Sequence, residues 1–568
     1  MRTITVLSLL FPLATAALAQ GQGQGSFFAA NGNDSNPCTQ TAPCLTLGKA
    51  SSLAYQPGST INFRGGDRFA GEFHLTRDQV PSGGDPSNPI IIQSYGSGRA
   101  TIVSNQGGVS SGGLGPKNWA LLVDSTSGVV VQDLNVTANG FVVQYGIIIQ
   151  NRAATNTIGN IVVQRVDVGG FNIQGPVNPG EGGIQLEIAG MSEAINRGVC
   201  GPIDNVQILN SKFHGNDGIA SKVTEGVHTK HCGNLTNIVY RGNEVFHIGG
   251  QPDIGGGNGL FMQGVSGGLI EHNLVHHNMY NVSGCGGPVG IWAYQSNHIM
   301  IQFNEVHHMH SNHWVPGSCD FGAFDLDASV FDSVIQYNYS HDNDGPAWVS
   351  FQGDGRHIIR FNISVNDNLT GNDGGGVAIL NADADWVQFY NNTVIGPAAC
   401  WATGVPLPPN SVIANNICVG TTVDEFGRWF GGGKFGGGDI THADIRNNLY
   451  WLAVPGNGPV FTSNLWSPSN LWSLAQWQVN TASKDQDSLN VDPLLANLSG
   501  SDAISWDPTQ HAGPQPEPSN YQLTQGSPAI GAGVNLADAP YNLDIGTRDY
   551  FGNPITSTSN IGADAGRY

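Results

Sequence analysis

A repeat restricts this chain more than any other feature. LIEHNLVHH, IMIQFNEVHH, SVIQYNYSHD, HIIRFNISVN, VIANNICVG and DIRNNLYW each place an asparagine after β-branched or apolar residues, with a residue of inward type two places on. Aligned on that asparagine, they give a column at Asn210, Asn243, Asn273, Asn304, Asn338, Asn362, Asn416 and Asn448, with Asn135, Asp167 and Asn392 as looser members. The spacing runs from roughly 24 to 43 residues and is most often near 30, within the solenoid range. Period-2 alternation around each asparagine marks the units as strands. A unit of this length with two or three short strands is one turn of a parallel β-helix. Like residues then stack about 4.8 Å apart, and a buried asparagine can bond to its counterpart in the next coil and to the bending backbone.

The ends and the composition set the surroundings. MRTITVLSLLFPLATAALAQ has one basic residue, an apolar run too short to span a bilayer and Ala17-Leu18-Ala19 as a cleavage signal, so residues 1–19 read as a secretory signal peptide. The expected mature protein is secreted, extracellular, soluble and monomeric. Eight cysteines suit an oxidising compartment, and the simplest connectivity is local: Cys38–Cys44, Cys200–Cys232, Cys285–Cys319 and Cys400–Cys418. A net charge of -21 argues against nucleic acid and anionic membrane as partners. Glycine, 79 of 568 residues, fits many tight turns, while 30 prolines exclude a collagen-like chain.

NGNDSNP, INFRGGDRFAGEF and PIIIQSYGSGRATI near the start, and QLTQGSPAIGAG with DYFGNPITSTSNIGADAGRY at the end, resemble the first coils and closing segment of secreted pectin-lyase-like proteins. That resemblance implies an all-β fold: a right-handed parallel β-helix solenoid with an N-terminal cap and an irregular C-terminal closing segment. It also implies action on polysaccharide, without fixing the reaction, because the group holds lyases, hydrolases and epimerases. The expected layout is a cap and first coils over 20–115, a core with the groove over 116–455 and a closing segment over 456–568.

A second strand per coil opens with a small residue: GIQLEI, GIASKV, GLFMQG, GIWAYQ, AFDLDA, AWVSFQ and GVAILN. Parity sends Ile184, Leu186, Leu260, Met262, Phe324 and Leu326 inward. It sends Gln185, Glu187, Ala220, Lys222, Phe261, Gln263, Trp292, Tyr294, Asp325, Asp327, Val349 and Phe351 outward. Aromatic rings beside carboxylates and amides suit a pyranose, so Glu187, Lys222, Phe261, Gln263, Trp292, Tyr294 and Phe351, with Arg356 nearby, are candidate substrate-binding residues. The alternative is that loops cover the rings.

Chemistry concentrates in DFGAFDLDASVFDSVIQYNYSHDNDGPAW. Asp325 and Asp327 project from one side of a strand about 6–7 Å apart, close enough to raise one pKa and give an acid beside a base. Glycosidic hydrolysis uses such a pair. Asp342 and Asp344 would complete the site or, with the first pair, hold calcium. The rival is a calcium-dependent lyase acting by β-elimination on a uronate polymer. Lys222 lies about 14 Å from Asp327, so a lyase must take its base from His310, His313, Arg356, Arg428 or Lys434. A third possibility is a non-catalytic glycan-binding β-helix. No metal ligand set stands out, and calcium is the one candidate cofactor. His214, His247, His277, His308, Asp342 and Asn366 form a further column, four residues after each asparagine, read as turn residues over the alternative of stacked histidines binding a metal. Asn234, Asn281, Asn368 and Asn497 are candidate glycosylation sites, whereas Asn135, Asn338 and Asn362 belong to the ladder.

Overall fold

The computed structural model describes residues 25–104, 119–138, 145–152, 156–171, 183–189, 201–215, 225–230, 235–250, 256–283, 288–312, 320–351, 353, 355–371, 375–423, 433–435, 440–462, 471–481, 484–498, 518–555 and 559–566. Two compact units divide the chain: one ends at residue 288 and includes 311–315, the other holds 289–310 and 316 onward.

Each unit is a parallel β-helix with three strands per coil. In the first, Ile203–Leu209, Lys212–His214 and Glu225–Lys230 make one coil and feed sheets 1, 2 and 3 in that order. In the second, a coil is Phe331–Gln336 (sheet 1), Tyr339–His341 (sheet 2) and Trp348–Ser350 (sheet 3). Val/Ile-rich strands pair in parallel register, for instance Val163 with Ile208 and Ile208 with Tyr240. On sheet 3 of the second unit the inward row Ile291, Phe324, Trp348, Ala378 and Trp401 is fully buried. Each large side chain in such a row contributes about 1.5–3 kcal/mol.

The corner between sheets 1 and 2 explains the repeat. In the second unit the residue before each ladder asparagine is left-handed and not glycine: Phe303, Tyr337, Phe361, Asn391, Asn415 and Asn447, with φ from 49° to 56°. That conformation costs about 1–2 kcal/mol per residue. The next asparagine offsets it. Asn338 donates through Nδ2 to Ile301 O (2.9 Å), Gln336 O (2.9 Å) and Asn362 Oδ1 (3.0 Å), and through its N–H to Asn362 Oδ1 (2.9 Å). The same contacts link Asn304 to Asn338, Asn362 to Asn392, Asn392 to Asn416 and Asn416 to Asn448. The last rung is Asp485, which receives Asn448 Nδ2 (3.0 Å), Tyr450 OH (3.0 Å) and Trp477 Nε1 (3.0 Å).

The ladder shifts in the first unit. Asn243 pairs with Asn273, but the preceding rung is Ser211, whose N–H reaches Asn243 Oδ1 (3.1 Å). Asn210 is instead the left-handed corner residue, φ 52°. Asn135 and Asp167 pair in register with each other, and Asp167 with Lys212, one position past the rung. All three sequence assignments miss the rung by one: Asn210 because an αL corner accepts asparagine as readily as the rung does, Asn135 and Asp167 because they stand two places after the left-handed corners Asp133 and Arg165. Asn135 is half-buried, not an inaccessible rung.

Beyond residue 455, helix Leu474–Asn480 is capped by Ser473 and places a fully buried Trp477 against Phe461 (4.8 Å between centroids, 11°). The terminal stretch returns over sheet 2 of the second unit: Tyr521, Leu523, Ala529, Tyr550, Ile561 and Ala563 pack on Tyr337, Tyr339, Phe361, Ile363, Ile417 and Leu449. Arg360 and Tyr390 both bond to the Asp544 carbonyl.

The Cys38–Cys44 and Cys400–Cys418 disulfides form. The other four cysteines, and residues 1–19, lie outside the described residues. Of the candidate glycosylation sites, Asn497 is exposed, while Asn281 and Asn368 are buried and Asn368 donates to Gly376 O (2.6 Å). Those two are corrected: turn-like sequence does not report what packs over a loop. Asn234 lies outside the described residues. No helix among the described residues is long and apolar enough to cross a membrane.

Candidate active site

Sheet 3 places the acidic pair. Strand Gly322–Leu326 lies between Val289–Tyr294 and Trp348–Ser350, and its register aligns Trp292, Asp325, Val349, Ile379 and Ala402 in one row. This is the outer row, as parity requires. Val349, Ile379 and Ala402 form an apolar cluster of their own, separate from the inward tryptophans.

Asp327 follows the strand's last residue, yet its N–H still bonds to Ala293 O (2.9 Å), so the pairing runs one step further. Asp325 and Asp327 therefore leave the wall on the same side. Their environments differ. Asp325 is 4% exposed. Asp327 is half-buried, and its carboxylate accepts the Ala328 N–H (2.6 Å). Desolvation raises the Asp327 pKa above the ordinary carboxylate value, and the Ala328 hydrogen bond opposes that only in part.

Rings surround the pair. Trp292 is 9% exposed, with Tyr294 half-buried 6.4 Å away between centroids. Phe351, whose N–H bonds to Leu326 O (3.1 Å), is 41% exposed. The open aromatic strip expected from parity is thus largely covered at Trp292 and open at Phe351. Strand alternation gives a side chain's direction and says nothing of what lies above it.

The first unit carries its own row on sheet 3: Ile148, Glu187, His228 and Phe261. Glu187, His228 and Phe261 are all buried, and the His228 and Phe261 rings stack at 4.7 Å. Gln263 is half-buried, bonded through its N–H to Thr229 Oγ1 (2.6 Å), and Gln185 is fully buried. The strand between Ile184–Ala189 and Asn258–Gln263 is Glu225–Lys230, not the GIASKV segment. Lys222 lies outside the described residues. His228 was missed in favour of GIASKV, although EGVHTK opens with the small-then-apolar pattern of the other strands.

Three further candidates sit elsewhere. Arg356 starts a sheet 1 strand, where it binds Asp332 (2.6 and 2.7 Å) and Asp385 (3.0 Å) and covers the Phe331 ring. It is a structural ion-pair residue on another wall, not a sugar ligand beside Asp325. Asp342 is a left-handed corner residue at the end of a sheet 2 strand, bonded to His341 Nδ1 (2.9 Å) and Asn366 Nδ2 (2.6 Å). Burial acts to raise Asp342, but those bonds hold its pKa below the ordinary value. Asp344 pairs with His310 Nδ1 (2.8 Å). Gly345 follows because a Cβ there would lie 1.9 Å from Asp320 O. Sequence proximity grouped Asp342 and Asp344 with Asp325 and Asp327, whereas the corner turns both toward histidines.

His341 is buried and joins Glu305 (3.2 Å) and Asp342; burial disfavours its charge, but the two carboxylates lift its pKa to about 9. His247, His277, His308, Asp342 and Asn366 all have φ between 53° and 60°, as corner residues do. Of the other proposed bases, His313 and Arg428 lie outside the described residues. Lys434 pairs in register with Ala402, four strands from Asp325 and so about 19 Å away.

Residues 197–394 match the family model described as a right handed beta helix region. No curated protein matches. Solved structures similar to this chain include a GH136 lacto-N-biosidase from Eubacterium ramulus, at 17% identity and TM-score 0.48 over 68% of this chain. The chain spans just under two thirds of that enzyme, 65% of its length. Also similar are a glycoside hydrolase (10% identity, TM-score 0.42, 64% of this chain and 95% of that one) and a pectate lyase (14%, 0.40, 97% and 98%). The chain is a right-handed parallel β-helix protein.

Proposed function

We propose that this protein is a carbohydrate-active enzyme that hydrolyses glycosidic bonds of an extracellular polysaccharide, with Asp325 and Asp327 as its carboxyl pair. One observation carries the reading: two carboxyls on the same side of one strand lie in different environments, and the pKa of Asp327 is raised by desolvation. A carboxyl whose protonated form is favoured by burial is the group suited to protonate a leaving oxygen. Asp325, in the row beside Trp292, is then the base or nucleophile. Tyr294 and Phe351 supply faces for sugar rings.

The test is release of reducing ends from a polysaccharide panel by wild type, Asp325→Asn and Asp327→Asn. Each substitution is expected to lower turnover at least ~100-fold with the circular dichroism spectrum unchanged. Normal activity in both variants would place the chemistry elsewhere.

A second reading rests on His310, whose Nδ1 contact with Asp344 would fix the tautomer of a proton-abstracting imidazole. A lyase of that kind, using calcium to neutralise the uronate, leaves a conjugated double bond that absorbs in the ultraviolet. Polysaccharide binding without either product would support a glycan-binding role.

A further inference from the structure

Sheet 2 of the second unit holds a group of side chains that the hydrolytic reading does not use. Strand Glu305–His307 pairs in register with Tyr339–His341, setting His307 beside His341 with rings stacked at 4.6 Å. The corner residues continue the match: His308 follows His307, and Asp342 follows His341, both left-handed. His307 Nδ1 and His308 Nδ1 lie 2.7 Å apart, and one coil on His341 Nδ1 lies 2.9 Å from Asp342 Oδ2. One ring nitrogen from each of His307, His308 and His341 falls within 4.8 Å of the others.

Three imidazoles converging in this way form a ligand set for a borderline-soft divalent ion, with a fourth position left for water. A tetrahedral ion with bonds of about 2.0–2.1 Å needs ligand atoms about 3.3 Å apart; the His307 and His308 nitrogens are somewhat closer than that, and all three ring nitrogens lie within 4.8 Å of one another. The surroundings also fit. His341 Nε2 faces Glu305 Oε1 (3.2 Å), and Asp342 Oδ1 accepts Asn366 Nδ2 (2.6 Å). Carboxylate and amide partners of this kind orient metal ligands from behind. The next coil supplies Val365 beside His341, which bounds the group on that side. His307 and His308 are half-buried, leaving a route from solvent.

We propose that His307, His308 and His341 bind one zinc-class divalent ion, which staples two successive coils of the solenoid.

The test uses full-length protein stripped with a strong chelator and dialysed, then titrated with Zn2+ in a calorimeter and with Co2+ in a spectrophotometer. Expected are one ion per chain, the intense visible band of tetrahedral cobalt and a higher unfolding temperature with zinc. His308→Gln and His341→Gln should lose all three, while His298→Gln, a surface histidine bonded to Asn297 Oδ1 (2.7 Å), keeps them. Absence of stoichiometric binding, or cobalt binding unaltered in both ligand variants, would overturn the proposal. Should a ligand variant fail to fold, the wild-type spectrum decides: an octahedral or absent band rejects the site. None of these readouts depends on which glycan the protein cleaves.

Discussion

Replacing Asn362 by alanine removes four buried hydrogen bonds at one rung. Its Oδ1 accepts the Asn338 N–H (2.9 Å) and Nδ2 (3.0 Å), and its Nδ2 donates to Ile335 O (3.0 Å) and Asn392 Oδ1 (3.0 Å). The Asn338 N–H is left buried without this acceptor, costing about 1–3 kcal/mol, and each of the other three bonds adds about 1 kcal/mol, for a total of roughly 4–6 kcal/mol. The loss is local, because a solenoid coil is supported by its neighbours only. Hydrogen exchange followed by mass spectrometry reads it directly. Peptides covering Phe331–Gln336, Tyr339–His341 and Ile363–Val365 should exchange at least ~100-fold faster, at about 1.4 kcal/mol per factor of ten. Asn210→Ala is the matched control, since that asparagine is a half-buried corner residue and loses only its tolerance of the left-handed conformation, about 1–2 kcal/mol. Equal effects from the two substitutions would refute the ladder as the support of the corner.

Other outcomes follow from single groups. Burial raises the Asp367 pKa to about 6, against hydrogen bonds from Ser364 and Asn343, so the folded state holds that proton more tightly than the unfolded chain. Its contribution is present below the ordinary carboxylate value and lost as pH rises toward 6; urea titrations across that window should show the slope in wild type and not in Asp367→Asn. Because desolvation raises Asp327, activity should fall on the alkaline side as that proton leaves, and an alkaline limb left unshifted in Asp327→Glu would argue against its role as the acid. Serine at both Cys400 and Cys418, which close a loop of sequence separation 18, should cost about 3 kcal/mol, measured by denaturant unfolding.

The parallel β-helix and the facing of its strand residues were legible in the sequence. Phe324 and Leu326 point in and Asp325 points out because alternation is a property of the strand itself. The asparagine column from Asn304 onward was equally legible, since one chemical requirement recurs at every corner. Tertiary structure decided the rest. It set the register at Ser211 rather than Asn210, chose Glu225–Lys230 as a sheet 3 strand, buried Trp292 and drew Asp342 and Arg356 away from Asp325. Only the piling of coils could set His307 against His341, residues far apart in the chain. Periodicity fixes which way a side chain leaves the backbone; what it meets depends on the neighbouring coil and on connections that follow no period.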